Sequence, residues 1–358
     1  MDRFLYQERY RESLPDSLYT AEQVRQLDHL AITRHGIPGF ELMSRAANAV
    51  IAVIVDQWPG ITGLMVLCGA GNNGGDGYLV ARLASDKSIP VSVLALKDPA
   101  TLTGDAQQAF QACVKAGVSV MPYEPGQPLE GGVIVDAMLG TGLSGEVRGH
   151  YQSAIQQLNN SGRPICSVDV PSGLCADTGS PLGEAVKADL TVSFIGLKQG
   201  LLTGKGPEYT GQLMFNDLGV PAEIYQEVAP GCHRINRSSL QGLIQSRPRT
   251  THKGDFGHVL LVGGNHGMPG AITLAAEAAI HCGAGKVSVA TRKHHLNALA
   301  IRTPEIMATG VKTRGGLKAL LPGKTVIVIG PGLGQDEWAL RLLKDALAFE
   351  CPLVLDAD

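Results

Sequence analysis

Residues 63–77 read Gly-Leu-Met-Val-Leu-Cys-Gly-Ala-Gly-Asn-Asn-Gly-Gly-Asp-Gly, and Tyr-Leu-Val-Ala-Arg-Leu-Ala-Ser follows to residue 85. An apolar run closed by glycines and followed by a helical pattern is the first turn of a β-α unit. Glycines in that place let the backbone turn tightly and approach a phosphate, with the next helix N-terminus supplying partial positive charge. The loop carries no lysine of the P-loop kind, and Asp76 sits where an anion would be expected. A carboxylate and a phosphate about 4 Å apart repel by roughly 4 kcal/mol at an effective dielectric near 20. Asp76 therefore caps the helix, grips ribose hydroxyls or is offset by a cation, and Asn72 and Asn73 offer neutral oxygens suited to a hard cation.

Outward from this unit the same alternation repeats. Upstream, Thr20-Ala-Glu-Gln23 fits a capping box opening a helix to about His35, and a second helix runs from Phe40 to about Trp58. Downstream come strands at 91–96, 133–139, 164–170, 188–196 and 212–217, with helices near 104–116 and 148–159. This spacing implies βαβ units and a mostly parallel sheet, a Rossmann-like three-layer α/β domain over 1–225. A polar stretch with Pro230, Gly231 and Pro248 reads as a linker over 226–250 containing one short helix. A second α/β region starts near 251, with strands at HVLLV, KVSVAT, KTVIVIG (324–330) and PLVLDAD (352–358).

In open parallel sheets, ligands sit outside the carboxyl ends of the strands. Three more polar loops follow strands, so all four are expected on one edge. Asp136 closes a strand and leads into Gly140-Thr-Gly-Leu-Ser-Gly145, a second flexible nest of backbone N–H groups. Asp169, Pro171 and Ser172 follow the next strand; alone they would make an Asx-type turn, as Asp136 alone would cap its own turn. Lys198 adds one cation, either an ion-pair partner or a substrate contact. The set offers carboxylates for acid–base work, oxygen ligands for a bare cation and glycine turns for phosphate. There is no HExxH and no Ser-His-Asp order, and His35, His150, His294 and His295 read as surface histidines.

Composition narrows the function classes. A net charge of -3 gives no reason to expect nucleic acid or an acidic membrane, and aromatics at 5% argue against base stacking. Seven cysteines without a CxxC pair read as reduced thiols. The charged N-terminal stretch has no h-region and no run is apolar enough to span a bilayer, so a cytoplasmic protein is expected.

The strings CGAGNNGGDGYLVAR (68–82), VDAMLGTGLSG (135–145) and VDVPSGLCADTG (168–179), with GIPGFELMSRAA (36–47) and FIGLKQGLLTGKG (194–206), resemble the NAD(P)H-hydrate epimerase family over about residues 18–225. The resemblance implies interconversion of the R and S forms of hydrated NADH or NADPH, NAD(P)HX, at C6. It implies substrate contacts at Asn72, Asn73, Gly74, Gly75 and Asp76, and a pyrophosphate cradle at Gly140, Thr141, Gly142, Leu143, Ser144, Gly145 and Glu146. It also implies a K+ site of Asn73, Asp136 and Ser172, and a contact from Asp169 to the hydrated nicotinamide. Lys198 is included among the substrate-binding candidates. Asp169 is assigned the acid–base role on chemical grounds, because labilising the C6 hydroxyl needs a proton donor and acceptor. Dimers through the first helices are common in the family, with Phe40, Leu42 and Met43 as candidates for that contact or for plain core.

HKGDFGHVLLVGGNHGMPGA (252–271) and VIGPGLG (328–334) resemble the start of a ribokinase-like, ADP-dependent (S)-NAD(P)H-hydrate dehydratase. That resemblance implies hydrate contacts from Ala271 and from Gly332 or Gly334, with ADP or ATP and Mg2+ serving a complete domain. The later histidine, the lysine loop and the GxGD segment are not found before Asp358, so an incomplete domain over 251–358 without dehydratase activity is expected. Two other readings compete: a lyase centred on the second region, and a non-catalytic binding module such as occurs in RNA-decapping scaffolds. Retention of the asparagine pair and the active-site carboxylate disfavours the latter.

Overall fold

The computed structural model describes residues 14–356 apart from 237, 238, 241, 242, 244, 245, 313 and 314. The N-terminal residues 1–13 and the last two residues of the PLVLDAD run lie outside the described residues. The chain divides after Leu243 into two units.

The first unit is built on β2 (Leu64–Cys68), β3 (Val91–Ala95), β4 (Ser119–Pro122), β5 (Val133–Ala137), β6 (Ile165–Val168), β7 (Leu190–Phe194) and β9 (Gln212–Asn216). These form one sheet in the order β4-β3-β2-β5-β6-β7-β9, parallel throughout. The chain winds outward from β2 to β4, then returns to β5 on the other side of β2. The topological switch point, where such sheets open a ligand crevice, therefore lies between the ends of β2 and β5.

Alternation along the central strands sends side chains to two cores. Val66 and Val135 pack under α1 (Ala21–Thr33), α2 (Gly39–Gln57), α3 (Asn72–Asp86) and α4 (Gly104–Lys115). Leu67 and Ile134 pack under α5 (Gly149–Asn159), completing the three layers. A one-turn helix, α6 (Gly206–Thr210), leads into β9. Thr20 caps α1 as its sequence implies, with reciprocal bonds Gln23 N–H to Thr20 Oγ1 at 3.2 Å and Thr20 N–H to Gln23 Oε1 at 2.8 Å. Helix α3 begins at Asn72, inside the run expected to be loop. Glycine disfavours helix by about 1 kcal/mol, yet here close packing requires it: a Cβ on Gly77 would stand 2.5 Å from Ala137 Cβ.

A small three-stranded sheet has no counterpart among the elements expected from sequence. Its middle strand, β1 (Ser17–Tyr19), pairs parallel with β8 (Leu197–Lys198) and antiparallel with β10 (Cys232–His233). Lys198 thus lies in a strand rather than a loop, and part of the stretch expected as linker belongs to the first unit. The short helix α7 (Ile224–Glu227) also packs on that unit through Ile224. Leu42 and Met43 are core residues, and Phe40 is half-buried against the same core.

The second unit is a five-stranded parallel sheet of β11 (His258–Val262), β12 (Lys286–Thr291), β13 (Met307–Gly310), β14 (Val326–Ile329) and β15 (Leu353–Leu355), ordered β13-β12-β11-β14-β15. Helices α8 (Pro269–His281) and α9 (Leu296–Arg302) cover one face, and α10 (Glu337–Leu347) the other. Its switch point falls between β11 and β14.

Candidate functional site

In the first unit, the loops after β2, β5 and β6 interlock through side chains. Asn73, in the first turn of α3, donates from Nδ2 to the Leu139 carbonyl at 3.0 Å. Ser172 Oγ receives the Leu139 N–H at 2.8 Å and donates to Asp136. Asp136 is fully buried and accepts further bonds from Ser172 N–H and Ser167 Oγ, both at 2.8 Å. Burial nevertheless outweighs these donors and pushes its carboxyl above the usual range. Beside it, Asn73 Oδ1 is a buried oxygen with no hydrogen-bond donor among the described residues. The three residues expected to hold a cation therefore come together with an orphaned acceptor in their midst.

Around this knot the backbone is open. Helix α3 has no side-chain cap, since its N-cap is Gly71. Leu143 N–H bonds back to Gly140, but among the described residues no acceptor is met by the N–H groups of Gly140, Thr141, Gly142, Ser144, Gly145 and Glu146. Uncapped helix N-terminus and open amides flank the same crevice, an arrangement that favours an anion. Arg25 on α1 reaches this loop, donating to the Thr141 carbonyl at 3.4 Å, and Glu146 pairs with Arg148.

Asp169 stands on strained backbone. Its φ is +65°, and Val170 N–H bonds to Val168 O at 2.8 Å, so Asp169 is the centre of a positive-φ γ-turn. The neighbouring strand ends in the same device: Ile195 has φ +58°, with Gly196 N–H bonded to Phe194 O at 2.6 Å. Such turns are rare and costly, more so for a β-branched residue, and strain of this kind gathers at functional sites. Together they aim the Asp169 carboxylate at Lys198. Asp169 Oδ1 accepts from Lys198 Nζ, from Phe194 N–H at 3.2 Å and from Ser193 Oγ at 3.3 Å. No donor reaches Oδ2 among the described residues. Lys198, only 1% exposed, also donates to the Phe194 carbonyl at 2.9 Å. Its cation is thus engaged as an ion-pair partner.

Two more carboxyls face this pair. Asp76 does not cap α3. It is enclosed with Asp169 and Asp28 while retaining some surface, and burial followed by those two negative charges pushes its carboxyl well above the usual range. Asp28, on α1, is absent from the candidates that sequence singles out; burial lifts its carboxyl to about 6, with Asp169 adding to the effect and Lys198 opposing it.

In the second unit the loop after β11 meets the loop after β14. Asn265 N–H bonds to the Gly332 carbonyl at 2.7 Å and Asn265 Nδ2 to the Leu333 carbonyl at 2.9 Å. A Cβ on Gly332 would lie 3.3 Å from that of Ala271, and one on Gly334 3.3 Å from Asn265 Nδ2, so Ala271 and both candidate glycines lie around Asn265. Arg292 Nε bonds to Asn265 Oδ1 at 2.8 Å while its guanidinium lies over Trp338. Asn265 is legible only as part of the GGNHG string, and Arg292 carries no local signal. His295 is 5% exposed, against the expectation of a surface histidine, because its ring is set beside Thr291 and His294 over the end of β12.

A family model for the YjeF-related protein N-terminus matches residues 39–200, and one for NAD(P)H-hydrate dehydratase matches residues 259–358. The second match recognises a dehydratase domain and supports neither the expectation of an incomplete domain nor that of a missing or crippled activity. A bifunctional NAD(P)H-hydrate repair enzyme from Coxiella burnetii is 43% identical over 341 residues, covering 95% of this chain and 70% of that protein. Its counterpart from Escherichia coli is 39% identical over 346 residues, covering 97% and 67%. The crystal structure of yeast ynu0 superposes with a TM-score of 0.52 at 22% identity, covering 61% of this chain and 95% of that one, a likeness of fold. Among the described residues no helix is long and apolar enough to cross a membrane. The chain belongs to the family of bifunctional NAD(P)H-hydrate repair enzymes, with an epimerase-type and a dehydratase-type domain.

Proposed function

We propose that the first domain, 1–225, interconverts the R and S forms of NAD(P)HX at C6, with Asp169 as the acid–base residue. The observation that carries this reading is the Asp169 carboxylate itself: one oxygen is fixed by three donors and the other is unengaged. A group held in that way is oriented yet open to a substrate hydroxyl. In the step proposed, protonated Asp169 gives its proton to the C6 hydroxyl and the C–O bond breaks. Water leaves, the ring nitrogen lone pair forms a C6=N1 iminium, and water adds to either face. The added water returns its proton to the carboxylate, so the proton count closes. The open amides of 140–142, of 144–146 and of Asn72 to Gly74 would take the pyrophosphate at the switch point.

A K+ ion fits the same site on the chemistry of the donors. Asn73 Oδ1 is orphaned, Asp136 is a buried carboxylate, and the Ser172 hydroxyl reaches the Leu139 carbonyl at 3.2 Å. These all-oxygen donors suit a hard cation, and K+ held by Asn73, Asp136 and Ser172 would supply the positive charge that Asp136 and the pyrophosphate both call for. Asp76 would then contact the substrate in its protonated form, as a hydrogen-bond donor.

For the second domain, 251–358, the reading is hydrate binding at Ala271, Gly332 and Gly334 for dehydration of the S form, with ADP or ATP and Mg2+ as the co-reactant; the match over 259–358 favours it. The epimerase reading is tested by Asp169→Asn. Epimerisation of NADHX by this variant should fall about 10²- to 10⁴-fold, and an Asp169→Asn protein as fast as wild type would remove the assignment.

A further inference from the structure

Asp28 lies two turns into α1, away from every motif loop, but the fold leads it to the reacting centre. β1 pairs with β8 in the register Tyr19 opposite Lys198, and α1 starts two residues later. The helix then lies directly on the strained turn beside Lys198. A Cβ on Gly196 would stand 2.9 Å from Val24 Cγ2 and 3.1 Å from Leu27 Cδ1, so the absence of a side chain there lets α1 close on the turn. Tyr225 braces it from α7, donating to the Ile195 carbonyl at 2.8 Å. Asp28 follows Leu27 and is mostly enclosed, and among the described residues no donor bonds to its carboxyl.

The groups facing Asp28 are Lys198 on β8, Asp169 after β6, Asp76 on α3, and Tyr225 on α7 with its neighbour Tyr19 on β1. The nearby charges on α1 are otherwise occupied, Arg25 with Glu22 and Arg34 with Glu227. One ammonium thus stands against three carboxyls in an enclosed place. If all three ionised, two negative charges would be left without a partner, so the cluster retains protons.

We propose that Asp28 is a positioning residue of the epimerising site: its carboxyl keeps the Asp28–Asp76–Asp169–Lys198 cluster richer in negative charge than its single cation can balance, so that a proton stays available at Asp169. An ammonium bonded to a carboxylate favours the ionised form and by itself makes a poor acid. Asp28 opposes that bias as a second carboxyl facing Lys198, without touching the substrate. The inference rests on the epimerase reading for its catalytic consequence, but the electrostatic coupling is a property of the protein alone.

Two measurements on the full chain separate these. First, carbon-13 titration of the aspartate carboxyls in substrate-free protein, with Asp169 assigned through Asp169→Asn, is compared between wild type and Asp28→Asn. The Asp169 midpoint should fall by half a pH unit or more in Asp28→Asn; an unmoved midpoint overturns the proposal whatever the activity. Second, with NADHX as substrate and the spontaneous rate subtracted, Asp28→Asn should lower kcat at least tenfold near pH 7.5 with KM changed less than twofold. The high-pH limb should shift to lower pH, and Asp28→Glu should restore most of the rate. A uniform loss across pH that Glu does not rescue would mark a merely structural residue and overturn the proposal. A wild-type chain with no epimerisation would refute the enzymatic reading instead, and the titration would still decide the coupling.

Discussion

Replacing Lys198 by methionine removes the ammonium while keeping nearly the same volume in a site 1% exposed. Asp169 then loses its strongest donor but keeps the Phe194 N–H and Ser193 hydroxyl. The Phe194 carbonyl keeps the Gly196 N–H, so no new backbone acceptor is orphaned. The cost is therefore that of an enclosed carboxylate left without its cation, about 3–5 kcal/mol for a fully buried pair. The Asp169 side chain is 16% exposed, which places the value near the lower end, about 3 kcal/mol. For a domain of this size that lowers Tm by roughly 6–12 °C. Because the penalty is an unpaired charge, adding Asp169→Asn should recover most of it, a coupling of about 2–3 kcal/mol in a double-mutant cycle. Circular dichroism melts of the four proteins at pH 7.5 measure this directly. A Lys198→Met protein melting within 2 °C of wild type, or a double variant no better than the sum of the singles, would refute the ion pair as the fixed point of the site.

Other expectations follow from the same geometry. Since burial lifts the Asp28 carboxyl to about 6 in the folded protein, the folded state binds more protons than the unfolded chain between about pH 4 and 6. That contribution to stability is complete below the unfolded value and is lost as pH rises through the folded one. Asp28→Asn should therefore be more stable than wild type at pH 7, by about 1–3 kcal/mol in urea melts, with the difference gone by about pH 4; an Asp28→Asn protein less stable than wild type at pH 7 would contradict the enclosure argued here. Asp136→Ala would strand the Ser172 N–H, the Met138 N–H and the Ser167 hydroxyl, costing about 3 kcal/mol or more by urea melts, and a change under 1 kcal/mol would argue against this knot. Thr20→Ala removes one half of the α1 capping box and should cost about 1 kcal/mol, read from the same melts; no change would mean that α1 is held by packing alone.

How much of this is legible in the sequence depends on the kind of signal. Strands β2 and β6 are short apolar runs followed at once by glycine or aspartate, β5 carries Asp136 at its end, and a parallel sheet carries such loops to one edge. Asp136, Asp169 and Ser172 can therefore be placed near one another from topology alone. The start of α3 is hidden because three glycines in its first two turns read as loop, whereas packing of Gly77 on β5 decides for helix. β1, β8 and β10 are two or three residues long, too short for any periodicity, so the strand role of Lys198 is hidden as well. β4 and β13 are exposed edge strands without a continuous apolar run. Asp28 has no local signature at all: a carboxylate on an amphipathic helix reads as a solvated face until β1 pairing brings that helix onto Lys198. His295 misleads for a similar reason, since its burial comes from tertiary packing over the end of β12.

The most direct test of the account is epimerisation itself. (R)-NADHX is incubated with the full chain, with and without K+, while an independent S-specific dehydratase consumes whatever S form appears. The account predicts complete consumption of the R form at a rate well above the spontaneous one and faster with K+. Consumption no faster than in the absence of the chain, at any K+ concentration, would contradict it.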